Sequence, residues 1–579
     1  MRSTLAQIPR WLERLTAHRL FPLGCGMLVF LLSLGLAWLV LEPGALWSPD
    51  EGAKLLQLRS LRLQDGRLNL GIVYTSQGMD PEFRYALINP VQDVLSVQDG
   101  ALMLRRLPLF TLLSLPFYRL LGMYGLYILP ALCGGLTVWL TLSKVRPSER
   151  RPSMALLAGL GSPVLIYSVL FWEHTLAAAL GMGGAWLIVD AGEAGVRLPR
   201  GARWVLAAGL LALGVTLRLE VLIFALALLA AAWLCLPSMR LQAALTTLLL
   251  GLFLLPYPFL HQALFANQPL PMNAQHLNLP LAYLGQTGWL AVQDLLIGPY
   301  TDEAIQSGWL GALWSALVVL ALGLSLLSGR YPRLRGWTYA ALAASLLPAA
   351  YFLLTPTPYR AAHGLLFSTP WALLGLSRLP ELWKVKNPRL RTLSLTVVLG
   401  LAGYTLVMLV FRASSPHGGL EWGARFALLF YPLLAILTGW QMAHTRRDLL
   451  LLGLFVILGI GFQVRGVATI YHDKQVSQAS NQVLLSAPEV QVLSDLWWLP
   501  LNAAPLYPQK AFFLAVDASS MTEWLDQACE AGFQEVLLVT LDVGWPGSLR
   551  DHLERCTLTV TGDEIVEHLH HMHLKLVAP

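Results

Sequence analysis

Charge is scarce in this chain. Only 13% of its 579 residues are Asp, Glu, Lys or Arg, roughly half the share of a soluble domain, while 56% are hydrophobic. An ordinary water-soluble globule is thereby excluded. Cysteine is scarce too: five are too few for a disulfide scaffold. Cys25, Cys133 and Cys235 lie in apolar runs and read as small packing residues, whereas Cys529 and Cys556 lie in a polar tail, where a disulfide and two free thiols are both open. No internal repeat is visible, which disfavours many transporter folds. The formal charge of +6 does not mark a nucleic-acid partner, because the basic residues gather at the ends of apolar runs. No small-residue cleavage site follows the first run cleanly, so no removable signal peptide is expected.

What the chain has in abundance is long apolar runs. Spans are expected at 22–41, 123–142, 153–172, 174–190, 204–218, 221–236, 242–260, 308–328, 338–354, 364–378, 393–411, 425–441 and 449–465, each near the length that crosses a bilayer. Alternating from a cytoplasmic amino terminus, the short cytoplasmic segments hold 22 Lys and Arg. The short segments opposite hold only Arg218, Arg360, Arg412 and Arg425. The positive-inside rule requires that asymmetry. Residues 102–121 are interrupted by Arg105, Arg106, Pro108, Pro116 and Arg119, so they read as an amphipathic surface helix rather than a span.

The expected fold is therefore an all-α polytopic membrane protein of about 13 transmembrane helices, residues 1–465, with large external loops at 42–122 and 261–307. Residues 466–579 form a small extracytoplasmic α/β domain. There VQVLSD, AFFLAV and EVLLVTL read as strands, and the segment opening at Ser519–Trp524 reads as a helix that Gly532 closes.

Against that frame the chemistry-bearing residues fall at outer helix ends. Trp47-Ser48-Pro49-Asp50-Glu51-Gly52 follows the first span, with Lys54 one turn on. A carboxylate there can take a proton from an acceptor hydroxyl or amine, and Ser48 or Asp50 can equally cap a helix. Glu173-His174 lies between two apolar runs, where a carboxylate is costly unless it faces a partner or a polar cavity; a short solvated turn is the plainer reading. Arg425 closes His417–Arg425, with Glu421 and Trp422 before it and Phe426 after it. It can grip a phosphate through its planar fork, or snorkel to headgroups. Arg218 and Glu220 can simply pair, and Arg360 with His363 sits in another external turn. His261, Asn273 and His276 in the second loop are consistent with substrate contact or with none. In the run Glu567–His573, strand alternation puts His571 and His573 on one face and His568 and His570 on the other, which divides any metal ligands.

The order and sidedness of these features resemble the large polytopic GT-C glycosyltransferases that take sugars from polyprenyl phosphates. Protein O-mannosyltransferases and lipid A aminoarabinose transferases are among them. The resemblance rests on Asp50-Glu51 after the first span, the surface helix, the Glu173-His174 turn, and a late segment similar to the family's Trp-Gly-x-Arg-Tyr/Phe. Here that segment is Trp422-Gly423-Ala424-Arg425-Phe426, without the tyrosine hydroxyl. It implies transfer of a sugar from a polyprenyl-phosphate donor to an extracytoplasmic lipid, glycan or protein acceptor, in the plasma membrane. Inversion would occur with Asp50 as base and Glu51 orienting a substrate. Lys54, Glu173, His174, Arg218, Arg360, Glu421 and Arg425 are the candidate substrate contacts. No cofactor or metal site is assigned, although some branches of the superfamily hold a divalent cation at the second acidic turn. The rival readings are a transporter or lipid flippase, a scaffold presenting the carboxy-terminal domain, and a ligase or polymerase using a diphosphate-linked glycan.

Overall fold

The computed structural model describes residues 15–64, 67–86, 95–98, 101–104, 107–143, 151–190, 199–264, 293–298, 308–355, 364–382, 387–412, 422–441, 445–542, 544–550 and 552–577. Arg360, His363 and Glu421 lie outside the described residues, as do Asn273 and His276. Two compact units emerge. The first is Met1–Leu36, Tyr127–Leu260 and Met272–Thr469; the second is Ala37–Leu126, His261–Pro271 and Ile470–Pro579.

The first unit is helical. Among the described residues of the whole chain, 7 helices are long and apolar enough to cross a membrane: Phe21–Val40, Leu109–Ser143, Pro237–Leu260, Trp309–Ser328, Pro332–Leu354, Pro388–Val407 and Arg447–Ser486. Shorter apolar helices are His174–Val189, Gly201–Leu217, Glu220–Cys235 and Phe430–Trp440. Two expected spans are not continuous helices. The stretch 153–172 breaks into Arg151–Ala155, a π-turn at Leu156–Leu160 and Val164–Ser168. The stretch 364–378 breaks into Leu365–Ser368 and Ala372–Ser377. Each break falls at a proline, Pro163 or Pro370, which lacks an N–H and pushes the preceding residue out of the helical region. Irregular backbone at membrane depth survives only where protein covers it. Here Tyr167, Phe171, Trp172 and Trp371 are all buried.

A third correction concerns the last span. Expected at 449–465, it is the start of one helix of 41 residues, Arg446–Ser486. No glycine or proline follows Gly466 until Pro488, so nothing in the polar stretch 471–480 stops the ladder.

The second unit joins the segment after the first span to the tail. Strands β1 (Arg62–Gln64) and β2 (Arg67–Asn69) form one antiparallel hairpin, and β3 (Leu95–Gln98) and β4 (Ala101–Leu104) another. The stretch expected as a surface helix is strand at 101–104 and helical only from Leu109, after Pro108. Leu109–Leu121 then runs through a tight turn at Gly122–Tyr127 into Ile128–Ser143, so it belongs to a candidate span rather than standing apart as a surface helix. The tail strands are β5 (Gln491–Ser494), β6 (Ala511–Leu514), β7 (Glu535–Thr540), β8 (Thr557–Val566) and β9 (Leu569–Val577), in the order β6-β5-β7-β9-β8. The three strands read from sequence, β5, β6 and β7, pair in parallel; β9 runs antiparallel to β7 and to β8. Parallel pairing needs a crossover, and the helix Ala518–Glu530 supplies one between β6 and β7. Asp517 and Ser520 close it with a reciprocal capping box, and Gly532 follows it at φ +81°. Tyr85 from the early segment is buried in the core of this sheet beside Phe513, Trp524 and Leu538. Its carbonyl accepts from the Leu514 amide at 2.9 Å, and the Ser76 hydroxyl donates to the Phe512 carbonyl at 3.0 Å.

Cys529 and Cys556 are both free thiols, the first packed against that core and the second within it. Burial, with the Cys529 thiol beside it, pushes Cys556 up to about 12. The tail histidines divide among separate partners: His570 with Asp563, His571 with Ser480, His573 with Glu489. No group of three or more His, Cys, Asp or Glu side chains placed to hold a metal occurs among the described residues.

Candidate active site

In the second unit the acidic pair opens the helix Pro49–Ser60. Ser48 is the N-cap, extended at φ −141° and ψ 153°, and its hydroxyl accepts from the Glu51 amide at 3.4 Å. Pro49 takes the first helical position, where its missing N–H costs nothing. Capping therefore belongs to Ser48, and Asp50 and Glu51 sit in the first turn, where the helix dipole favours carboxylates. The two acids then diverge. Glu51 is 0% exposed, and its Oε2 accepts from the Trp47 amide at 2.7 Å; Asp50 is half-buried. Gly52 is required by packing, since a methyl group there would collide with the Leu501 carbonyl. Lys54 is buried on the same helix.

Three consecutive residues of the long helix face this turn. Asp473 accepts from the Trp47 indole at 3.0 Å, and Gln475 donates to Glu42 at 2.7 Å. Between them Lys474 is 0% exposed and interacts electrostatically with Glu51 and Glu42. Ending that span at 465 concealed all three from sequence reading. The signal was there in the charged run His472–Lys474 that follows the apolar part of the helix.

The first unit gathers the other candidates. Glu173 and Glu220 both grip Arg218, at 3.1 Å and 2.7 Å. Arg218 is the C-cap of the helix Arg200–Leu217, and Glu220 begins the next helix, so the local pair follows from a tight helix–helix corner. Glu173 joins it from the start of His174–Val189. The Arg218 guanidinium lies 5.3 Å from the Phe426 ring centre; that of Arg425 lies 4.7 Å from the same ring and 5.2 Å from the Trp172 ring. One aromatic thus serves two cations. Tyr167 stacks on Trp172 and on His174, which are tilted against each other, with ring centres 5.0–5.6 Å apart.

The Trp422–Phe426 segment is held by hydroxyls. Tyr167 donates to the Trp422 carbonyl at 2.9 Å and accepts from its amide at 3.2 Å, while Tyr431 accepts from the Ala424 amide at 3.1 Å. Gly423 sits at φ +66°, and a Cβ there would lie 2.7 Å from both Pro163 and Ser368. Both neighbours come from the broken stretches described above. The breaks let three irregular segments meet around Gly423, two residues before Arg425, which is only 6% exposed.

Of the expected site residues, Glu173, His174, Arg218 and Arg425 come together in one cluster, and Asp50, Glu51 and Lys54 in one turn. Sequence reading missed Lys474, Asp473 and Tyr167.

No protein-family profile matches the chain, and no curated protein matches it. Among solved structures, ArnT from Cupriavidus metallidurans bound to undecaprenyl phosphate is similar at a TM-score of 0.51 and 11% identity, covering 96% of this chain and 97% of that one. The Archaeoglobus fulgidus oligosaccharyltransferase in its apo form aligns at a TM-score of 0.45 and 12% identity, over 90% of this chain and 69% of that one. The likeness to ArnT is one of fold. The chain has an ArnT-like fold, with seven helices among the described residues long and apolar enough to cross a membrane.

Proposed function

We propose that this protein transfers a sugar from a polyprenyl-phosphate carrier to an acceptor on the extracytoplasmic face. The fold likeness supports this, since the ArnT structure holds undecaprenyl phosphate. The observation that carries it is the cluster of the first unit, where Arg425 is stacked on Phe426 and Trp172 beside the Glu173–Arg218–Glu220 network. A guanidinium that lies over aromatic rings can make two parallel N–H bonds to a phosphate in its own plane.

In this reading the acceptor oxygen or nitrogen attacks the anomeric carbon as the bond from that carbon to the phosphate oxygen breaks. The bonding pair leaves with the phosphate, whose growing charge Arg425 offsets. Asp50, the more open of the two acids, takes the acceptor proton. A single displacement inverts the anomeric centre. Glu173 and Glu220 hold Arg218 in place, and His174 and Trp172 shape the wall. The test is transfer by the purified full chain in nanodiscs, given the polyprenyl-phosphate-sugar fraction of a deletion strain. Accumulation of such a donor in that strain, and its consumption in vitro with release of polyprenyl phosphate, is the expected result. Movement of an unchanged lipid across the bilayer would point to a flippase instead, and consumption of a diphosphate-linked glycan to a ligase.

A further inference from the structure

Burying a lysine is expensive unless carboxylates compensate it. Lys474 is 0% exposed, and Glu51 and then Glu42 offset only part of what burial costs its charge. The flanking residues engage the same turn, Asp473 through the Trp47 indole and Gln475 through Glu42. Glu51 in turn binds the Trp47 amide. Among the described residues, the early segment from 42 to 54 carries Glu42, Asp50, Glu51 and Lys54, and the stretch 472–475 of the long helix carries His472, Asp473 and Lys474, with His472 at 3.3 Å from Glu567.

We propose that Lys474 is the positioning residue of the acidic turn: its ammonium balances the buried Glu51, which locks the turn and leaves Asp50 to meet the acceptor. This rests on the transferase reading above. It also divides the two acids, giving Glu51 a supporting part and Asp50 the proton transfer. Lys474 touches no reacting atom in this scheme, so its loss should act on turnover rather than on donor binding. Removing a cation from beside carboxylates also disfavours their charged forms, so the acid limb of the rate profile should move to higher pH.

The test uses the full chain in nanodiscs with three readouts: kcat and donor KM against pH, binding of undecaprenyl phosphate, and thermal unfolding. Lys474→Met is expected to lower kcat by about tenfold or more, with the acid limb displaced upward and undecaprenyl phosphate binding unchanged. General-base catalysis supplies about 10²–10⁴-fold, so partial misplacement of the base should cost part of that range. Lys474→Arg keeps the charge and should restore the limb. In thermal unfolding, Lys474→Met and Glu51→Gln each leave a buried charge unbalanced, so the double variant should lose less than the sum of the two. Additive losses would overturn the pairing. A kcat that falls only as folded protein falls, with the limb unmoved, would overturn the positioning role, as would loss of undecaprenyl phosphate binding. If the wild type transfers nothing, the transferase reading fails by itself, and the unfolding cycle still decides whether Lys474 and Glu51 are coupled.

Discussion

The indole of Trp47 donates to the carboxylate of Asp473 across 426 positions of sequence, at 3.0 Å. This bond ties the acidic turn after the first span to the last long helix. It also explains why two distant polar runs, neither conspicuous alone, belong to one local structure.

Asp50→Asn removes the proposed base without removing the cap, because Ser48 fills the capping position. Folded yield should stay near that of the wild type while turnover falls by about 10²–10⁴-fold, the usual contribution of a general base. The check is turnover per folded molecule, measured beside size-exclusion recovery. Near-normal turnover would return the acidic pair to a purely structural part.

Arg425→Lys keeps the charge but loses the planar fork and the stacking on Phe426 and Trp172. A hydrogen bond to a charged group contributes about 1.5–3 kcal/mol, so undecaprenyl phosphate affinity should weaken by roughly tenfold or more. Titration of the lipid phosphate into the nanodisc protein measures this. Unchanged affinity would assign the phosphate to another residue.

Arg218→Met strands two carboxylates at once, the buried Glu173 and the partly exposed Glu220. Breaking a buried pair by removing one partner costs about 3–5 kcal/mol, so a large fall in unfolding temperature is expected. Glu173→Gln should cost less, because Arg218 keeps Glu220. Equal losses for the two variants would show that Glu220 does not compensate.

The tail carries a pH dependence of predictable sign. His571 is buried with its Nε2 3.0 Å from the Ser480 hydroxyl, and burial holds it below the ordinary histidine range. The unfolded chain therefore binds the proton more readily than the folded one. Stability from this group is complete above the unfolded value of about 6.5, declines as pH falls through it, and levels off below the folded value. Thermal unfolding of the full chain between about pH 8 and pH 5 should show a decline that His571→Gln reduces. An identical decline in that variant would place the effect elsewhere.

Orientation is open to direct measurement. A phosphatase fused after Pro579 should be active outside the cytoplasm, and one fused near Arg389 inactive, as the 22-to-4 basic asymmetry requires. A cytoplasmic tail would reverse the proposed face of transfer.

The sequence by itself determined the membrane class, most of the apolar helices, the three parallel strands and the crossover helix. Each depends on local period, length and turn chemistry, which the chain states directly. It also placed Glu173, His174, Arg218 and Arg425 at helix ends, because charges at membrane depth are rare enough to stand out. Tertiary structure decided the rest. Whether Pro163 and Pro370 kink a span or break it depends on what covers the freed backbone, here the segment around Gly423 and Trp422. The burial of Glu51 comes with its bond to the Trp47 amide, and the Trp47 indole is held in turn by Asp473, more than 400 positions later. The union of residues 42–122 with the tail depends on contacts such as Tyr85 to Leu514. Periodicity reports which residues share a face of one element. It carries no information on which distant element that face will meet.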